Sequence, residues 1–322
     1  MNLAPTPAVP YNVWGGHPGR AWGREAKMDG LNTEFVGNPF GFVGQKPVNH
    51  LSMKCSSEDE LGFTAQADAR ALKGGLDTTK VGTFDIQPQT FHGGAVNYYL
   101  RLTGIGGTHK FLPKAKPSLF SFLSTPTADP LIKAYWVPYT SIGDQGHGIG
   151  NVPWVELPKT NPTYRIMFTG SMNGCSLVVT APAANPAVIR VYHDSAHEQT
   201  TFHAETVLAR VDYADLGFTS HVPGPAPAPG GGAPAPAAPA ATRYSYGDPH
   251  LATIGVAGSV ATSFNFLYYD VTTNRWVIVC QPLDIAPSAM MGGAAAAAQS
   301  RRLGNKVGLI NSRAVWRATI PY

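Results

Sequence analysis

The chain has few charged side chains and no long apolar run. Asp, Glu, Lys and Arg make up 14% of its 322 residues, whereas ordinary domains contain about 25%. No apolar run approaches the ~18–20 residues that a membrane-spanning helix needs. The first residues also lack the positively charged and apolar segments of a secretory signal. We therefore expect no membrane span and no classical export signal.

Cysteine is scarce as well. The three cysteines, Cys55, Cys175 and Cys280, are widely spaced, odd in number and outside any Cys-x-x-Cys motif. This spacing argues against a disulfide framework and gives no support to metal ligation by cysteine. Cys280 ends an apolar run and is interpreted as a core residue, whereas Cys175 follows a glycine in a turn. A reducing compartment suits these thiols best.

Four potential metal ligands crowd into one short segment: His193, His197, Glu198 and His203. On a helix, the i, i+4 spacing of His193 and His197 would suit zinc. Metalloproteases, however, use His-Glu-x-x-His, with the glutamate between the two histidines. Here Glu198 follows the second histidine, and the β-branched run before His193 predicts a strand instead of a helix. We therefore expect no metal and no cofactor.

Glycine and proline, in contrast, are abundant, at 35 and 28 residues. This composition favours short strands joined by turns over long helices. One helix is nevertheless predicted behind a cap at Thr200 or Thr201. Its apolar residues Val207, Leu208 and Val211 would share one helical face.

The last part of the sequence predicts a hairpin followed by a basic tail. Apolar runs at 263–271 and 275–280 flank the turn 272–274. The final residues carry five basic side chains and no acid after Asp284. Because no nucleic-acid motif accompanies these charges, we interpret them as a solvated face and expect no nucleic-acid partner.

The most informative pattern is a turn that joins two strand-like runs. Residues 171–176 follow the apolar run 164–169 and lead directly into another, while a third run ends at His193. A hairpin whose loop is centred on Ala184 would pair Cys175 directly with His193 and place both on one face. A neighbouring imidazole can generate and hold the thiolate, which is the reactive form of cysteine.

Two further features of this turn suit catalysis. Backbone N–H groups near Asn173 and Gly174 would lie close to the sulfur, as an oxyanion hole requires. The strand before the turn ends at Thr169, whose hydroxyl could orient a ring or a substrate. The alternative is that Cys175 is a buried structural thiol, since such cysteines are among the most buried residue types.

The pattern resembles the catalytic domains of Burkholderia lethal factor and of the cytotoxic necrotizing factors, which are cysteine-dependent deamidases. Its parts are Phe168-Thr169, Gly174-Cys175 and the strand end Tyr192-His193. The resemblance implies Cys175 as nucleophile, His193 as base and Thr169 as orienting group. Asn173 stands where the family usually has serine, and the gap from Cys175 to His193 is longer than the family leads us to expect.

By this resemblance, the chain would be a protein glutamine deamidase, a toxin or effector that converts a glutamine of a host protein to glutamate through a cysteine thioester. The substrate would be a protein such as a small GTPase or a translation factor. The protein would act as a monomer, after secretion or transfer into a host cytosol without a classical signal peptide. Two alternatives stay open: a transglutaminase on the same site, and a non-catalytic secreted binding protein.

Composition and resemblance together predict an α+β fold that is mostly β, with central sandwich-like mixed sheets flanked by helices and long loops. Residues 1–80 would form an N-terminal extension of unknown role, and 81–285 a deamidase-like catalytic domain. Residues 222–241 contain almost only Pro, Ala and Gly and are predicted to be a semi-stiff insertion within that domain. Residues 286–322 would form a basic C-terminal tail.

Overall fold

Strands dominate the part of the chain that the structure describes. This computed structural model describes residues 30–55, 74–90, 96–106, 129–139, 152–170, 172, 175–194, 205–212, 242–245, 260–287, 308–312 and 315–322. Two short helices come first, α1 (Leu31–Gly37) and α2 (Pro39–Gln45). In the described ranges, no helix combines the length and apolar character that crossing a membrane requires. The predicted insertion at 222–241 lies outside these ranges.

Fourteen strands follow the helices within the described ranges. They are β1 (Val48–Cys55), β2 (Val81–Thr90), β3 (Val96–Ile105), β4 (Ile132–Val137), β5 (Trp154–Pro158), β6 (Ile166–Thr169), β7 (Ser176–Pro182), β8 (Val188–Asp194), β9 (Glu205–Asp212), β10 (Thr242–Ser245), β11 (Val260–Asp270), β12 (Arg275–Pro287), β13 (Gly308–Ser312) and β14 (Trp316–Thr319). They divide into two sheets.

The first sheet has nine strands in the order β1-β3-β2-β4-β6-β11-β12-β13, with β14 also paired to β12. The second sheet has five strands in the order β10-β9-β7-β8-β5. Both sheets are mixed, because β4 runs parallel to β6 and β10 parallel to β9, whereas most other pairs are antiparallel. The predicted fold class, an α+β fold that is mostly β, is confirmed.

The first sheet is buried on both faces. On β6, Ile166 and Phe168 lie on one face and Met167 on the other, which is why the sequence there is continuously apolar. The first face packs against α1 and α2 and forms the first core. Its large side chains include Phe35, Phe42, Phe84, Trp136, Phe168, Phe264 and Phe266.

The second core fills the space between the two sheets. Its members from the first sheet include Val137, Met167, Leu267, Trp276 and Ile278, and those from the second sheet include Leu157, Leu177, Val179, Ile189, Val191 and Val211. The Trp276 indole N–H crosses between the layers and donates to the Pro158 carbonyl at 2.8 Å. Helices, first sheet and second sheet therefore form three stacked layers, with apolar contacts at both junctions.

The predicted hairpin near the end of the chain is confirmed. β11 and β12 pair antiparallel from Val260↔Ile285 to Asp270↔Arg275. In the turn, the Asp270 carboxylate accepts the Thr272 N–H at 2.9 Å and the Thr273 hydroxyl at 3.0 Å. These hydrogen bonds lower the pKa of Asp270, and the bond from the Thr272 backbone has the largest effect.

The helix predicted behind Thr200 or Thr201 is wrong, because Val207, Leu208 and Val211 lie in strand β9. β9 pairs antiparallel with β7, and the register shifts by one residue within this pairing. Val179 of β7 pairs with Ala209 and the next residue, Thr180, pairs with Val207, so Leu208 is an extra residue that forms a bulge. The bulge gives β9 a spacing of buried residues that also fits a helix.

Segments predicted to be peripheral also contribute to the first sheet. From the predicted N-terminal extension, β1 pairs with β3 and the helices α1 and α2 line the first core. From the predicted basic tail, β13 and β14 both pair with β12. The predicted domain boundaries themselves stay a prediction.

A buried glutamine links the N-terminal layer to β12. The Gln281 side chain donates to the carbonyls of Val43 and Lys46, at 2.5 and 3.0 Å, and accepts the Val48 N–H at 2.9 Å. Gln281 itself is fully buried. One side chain therefore satisfies three backbone groups between α2 and β1.

We expect Gln281→Leu to lower the free energy of unfolding by about 2–4 kcal/mol, since buried polar groups left without partners cost about 1–3 kcal/mol each. Denaturant unfolding followed by tryptophan fluorescence measures this loss. The matched control is Gln45→Leu, at an exposed position in α2, which should change stability by no more than about 0.5 kcal/mol. Equal effects of the two substitutions would contradict the assigned role of Gln281.

Candidate active site

The strand pairing between β7 and β8 differs from the predicted register. Leu177 pairs with His193 and Ser176 with Asp194, so the predicted direct pairing of Cys175 with His193 is wrong. Because the difference is two residues, an even number, Cys175 stays on the same face as Leu177 and lies diagonal to His193.

Turn chemistry explains the difference in register. The loop between β7 and β8 is organised around Asn185, one residue later than the predicted centre. The Asn185 side-chain oxygen accepts the Ala187 N–H at 3.3 Å, and the Asn185 N–H donates to the Pro182 carbonyl at 3.3 Å. Asparagine commonly nucleates such turns by bonding to the backbone two residues on.

The structure brings His193 and Thr169 together across the gap between the sheets. Thr169 ends β6 in the first sheet, His193 lies near the end of β8 in the second sheet, and both are fully buried. Thr169 Oγ1 and His193 Nδ1 are 2.6 Å apart. The predicted contact between an orienting hydroxyl and the imidazole is therefore present in the structure.

The hydrogen bonds of Thr169 define which imidazole nitrogen carries the proton. The Thr169 hydroxyl donates to the Val137 carbonyl at 3.2 Å, a contact set up by the parallel pairing Val137↔Thr169. A hydroxyl has one proton to give, so Thr169 Oγ1 accepts from His193 Nδ1–H. In the neutral ring, Nε2 then carries the lone pair and is the basic nitrogen.

Sequence reasoning missed the two contributions of the β4 end, the Val137 carbonyl and the Tyr139 ring. Tyr139 lies 4.8 Å from the His193 ring, centroid to centroid, and is 38% exposed. A Cβ at Gly170 would lie 3.4 Å from Tyr139 Cβ and 3.8 Å from His193 Cε1. Tyr139 therefore packs against the buried imidazole.

Cys175 lies directly before β7 and is 5% exposed. It belongs to the second core together with Met172 and Leu177. Cys175 and Cys280 are both buried thiols outside any disulfide. The other two predicted site residues, Asn173 and Gly174, lie outside the described residues, so their role at an oxyanion hole stays a prediction.

An ion cluster on the opposite face of β8 holds this strand in place. The Arg190 guanidinium bonds Glu156 of β5 at 2.8 Å and also contacts Glu205 of β9. Burial alone would lower the pKa of Arg190, but hydrogen bonds to Glu156 and Tyr192 raise it above its ordinary value. Arg190 therefore stays charged and ties β8 to β5 and β9, which fixes the position of His193.

The described residues contain no group of three or more His, Cys, Asp or Glu side chains arranged to hold a metal ion. The other members of the histidine-rich segment, His197, Glu198 and His203, lie outside the described residues. His193 itself lies in a strand, so the helical i, i+4 spacing considered for zinc does not apply to it.

Comparison with known proteins gives a family match and several matches among solved structures. Residues 120–224 match the family model of the Mcf1 activator-binding domain, a stretch that includes Tyr139, Thr169, Cys175 and His193. Among solved structures, one match is the C-terminal domain of CNFy from Yersinia pseudotuberculosis, with 8% identity and a TM-score of 0.30 over 74% of this chain and 87% of that one. At that TM-score the likeness carries no argument about the site. No curated protein matches the chain.

Proposed function

We propose that the chain is a cysteine-dependent protein glutamine deamidase in which Cys175 attacks the side-chain amide of a glutamine. One observation carries the proposal: Thr169 and His193 meet at 2.6 Å across the two sheets, on the faces that border the second core. The contact fixes His193 with Nε2 as its basic nitrogen. Cys175, on the same face of the second sheet, is the thiol that this base would serve.

The chemistry needs only these groups and water. His193 Nε2 takes the thiol proton, sulfur bonds to the carboxamide carbon, and the carbonyl π electrons move to oxygen. When the intermediate collapses, the C–N bond breaks and the imidazolium gives its proton to the departing ammonia. Water then attacks the thioester while His193 takes a water proton. The C–S bond breaks, that proton returns to sulfur, and glutamate is released.

Burial of the site favours a side-chain amide over a backbone amide as substrate. Cys175 is 5% exposed and His193 is not exposed at all. A glutamine carboxamide stands at the end of a flexible, slender side chain and can enter a narrow opening. A peptide bond would require an open groove for the flanking chain. This difference favours deamidation over proteolysis.

Residues 120–224, which match the Mcf1 activator-binding domain, include the proposed catalytic residues Thr169, Cys175 and His193. By the sequence resemblance, we propose that the substrate is a protein of a host cell. Secretion or transfer into the host cytosol would bring the enzyme to it. A small GTPase or a translation factor is the substrate class that the sequence resemblance implies.

A second candidate function is partner binding without catalysis. The matched family model is named for binding an activator, and Cys175 and His193 would then be structural residues of the second core. The binding function requires stable association with a partner protein, whereas a deamidase needs only transient contact with its substrate. Only the deamidase changes the chemistry of a glutamine in that protein.

The test is mass spectrometry of a eukaryotic lysate incubated with the purified chain in heavy-oxygen water. We expect glutamines in a small number of proteins to become glutamates that carry heavy oxygen, with no such change in untreated lysate. A fluorescent primary amine, added in a parallel sample, would become attached to protein if the enzyme were a transglutaminase. Association with lysate proteins with neither modification would refute the deamidase and support the binding function.

We expect Thr169→Val to reduce deamidation about tenfold to hundredfold, because the buried Nδ1–H would lose its acceptor at a cost of about 1–3 kcal/mol. Single-turnover rates on a substrate protein measure this effect. The matched control is Thr103→Val, since Thr103 is a buried threonine on β3 whose hydroxyl donates to the Thr83 carbonyl at 3.0 Å. If both variants lose stability and activity equally, Thr169 has no special part in positioning His193.

A further inference from the structure

The side-chain oxygen of Asn265 is a buried hydrogen-bond acceptor without a partner among the described residues. The side chain is fully buried in β11. Its side-chain oxygen Oδ1 accepts no hydrogen bond from the described residues. A buried acceptor without a partner costs free energy, and such groups in native structures call for an explanation.

The contacts of the amide nitrogen Nδ2 set the orientation of the Asn265 side-chain amide. Nδ2 donates to Ser263 Oγ at 2.6 Å and lies 2.7 Å from Met172 Sδ. A thioether sulfur accepts weakly and never donates. Exchanging the amide oxygen and nitrogen would bring the oxygen against this sulfur, so the oxygen is the atom left without a partner.

Strand pairing places Asn265 beside the proposed catalytic residues. β11 pairs with β6 through Phe266↔Phe168 and Leu267↔Met167. Leu267 and Met167 both face the second core, and because side chains alternate along a strand, Asn265 and Thr169 face it too. The pairing ends at Phe266↔Phe168, and Asn265 and Thr169 are the next residues on the two strands.

Met172 connects Asn265 to the nucleophile. Its backbone pairs with Ser263 of β11, through N–H to carbonyl hydrogen bonds of 3.3 and 3.0 Å. Three residues later the chain reaches Cys175 at the start of the second sheet, and both residues belong to the second core. Asn265 and Cys175 therefore lie at the same end of the space between the sheets.

We infer that Asn265 selects a primary carboxamide at this site by accepting one of its N–H protons on Oδ1. The inference rests on the proposed function and adds the residue that determines substrate specificity. The glutamate product has no N–H, and its carboxylate would face the Asn265 oxygen. A site that hydrogen-bonds a substrate group discriminates strongly against the analogue that lacks it. Asn265 thus distinguishes substrate from product.

Two alkylating reagents of nearly equal size test this role directly. Iodoacetamide carries a primary amide and iodoacetate a carboxylate, and peptide mass spectrometry follows their reaction at Cys175 alone. We expect the ratio of the two rates to fall roughly tenfold to hundredfold in Asn265→Leu, as loss of a buried hydrogen bond predicts. Asn265→Ala should give the same change, and near-UV circular dichroism identifies which variants keep the native fold.

The control variant is Asn97→Leu. Asn97 is a buried asparagine on β3 of the same sheet, four strands from β11, and its replacement should leave the rate ratio unchanged. A ratio that is also unchanged in both Asn265 variants, with Cys175 still reactive, overturns the specificity role and leaves the proposed function intact. A Cys175 no more reactive than glutathione in the unsubstituted protein overturns both.

A measurement on the unsubstituted protein does not depend on the folding of any variant. Propionamide and propionate imitate the ends of the glutamine and glutamate side chains. We expect propionamide at high concentration to slow alkylation of Cys175 by a neutral reagent, and propionate to have no effect. Equal protection by both, or stronger protection by propionate, would overturn the role assigned to Asn265.

Discussion

Cys175→Ala is expected to lower the rate of protein deamidation on the order of 10⁴-fold or more, the scale on which loss of a nucleophile acts in enzymes with covalent intermediates. The other buried cysteine of the described residues, Cys280, lies on β12 directly opposite Asn265 of β11, so its own substitution is the necessary comparison. Single-turnover assays with substrate protein measure the loss. A thioester intermediate trapped by acid quenching should also disappear.

Cys280→Ala is the matched control for this substitution. Both cysteines are buried in the second core, so both substitutions remove a sulfur from the same apolar environment and should cost similar stability. Only Cys175→Ala should abolish deamidation. If the two variants keep equal activity, Cys175 is a structural thiol, and the non-catalytic binding function becomes the better explanation.

His193→Gln is expected to reduce deamidation about 10²–10⁴-fold, the usual contribution of a positioned acid–base group. Glutamine can still hydrogen-bond Thr169, so the link between the sheets is retained while the basic nitrogen is lost. We also expect iodoacetamide to alkylate Cys175 at neutral pH no faster than it alkylates a simple thiol such as glutathione.

His50→Gln provides the comparison for His193→Gln. His50 lies on β1, a strand that contributes no residue to the proposed site, and its replacement should change neither rate. An unchanged alkylation rate in His193→Gln would show that the imidazole does not generate the thiolate. The proposed mechanism would then be wrong even if Cys175 itself proved essential.

Local sequence patterns predicted the local structure well in some places. The hairpin of β11 and β12 followed from two apolar runs around a polar turn. The strands ending at Thr169 and His193 followed from their β-branched and aromatic residues. These features depend on residues near one another in the chain, so a single sequence is enough to predict them.

The errors came from irregular backbone. In β9, the bulge at Leu208 places Leu208, Ala209 and Val211 in one core, and that spacing mimics helical periodicity. In the hairpin before His193, the bonds made by Asn185 move the turn by one residue and the register by two. The spacing of apolar residues in the sequence does not reveal a bulge, and the length of a loop does not reveal where its turn is centred.

The contacts that complete the site were beyond sequence reasoning for a different reason. The Val137 carbonyl, Tyr139 and Asn265 reach the site through pairings of β4, β6 and β11, strands that are distant in sequence. The order of strands in the first sheet determines these neighbours. One sequence gives no direct signal for that order.

The hydrogen bond between Thr169 and His193 joins two separate sheets. The proposed activity should therefore depend on the relative position of those sheets. A slide of one layer over the other by a fraction of a strand spacing would separate the two side chains while both sheets stayed hydrogen-bonded. If the chain is a deamidase, mild denaturant should therefore abolish its activity at a lower concentration than the one that unfolds the sheets. A cavity engineered at Trp276, in the core between the sheets, should therefore lower the rate of deamidation.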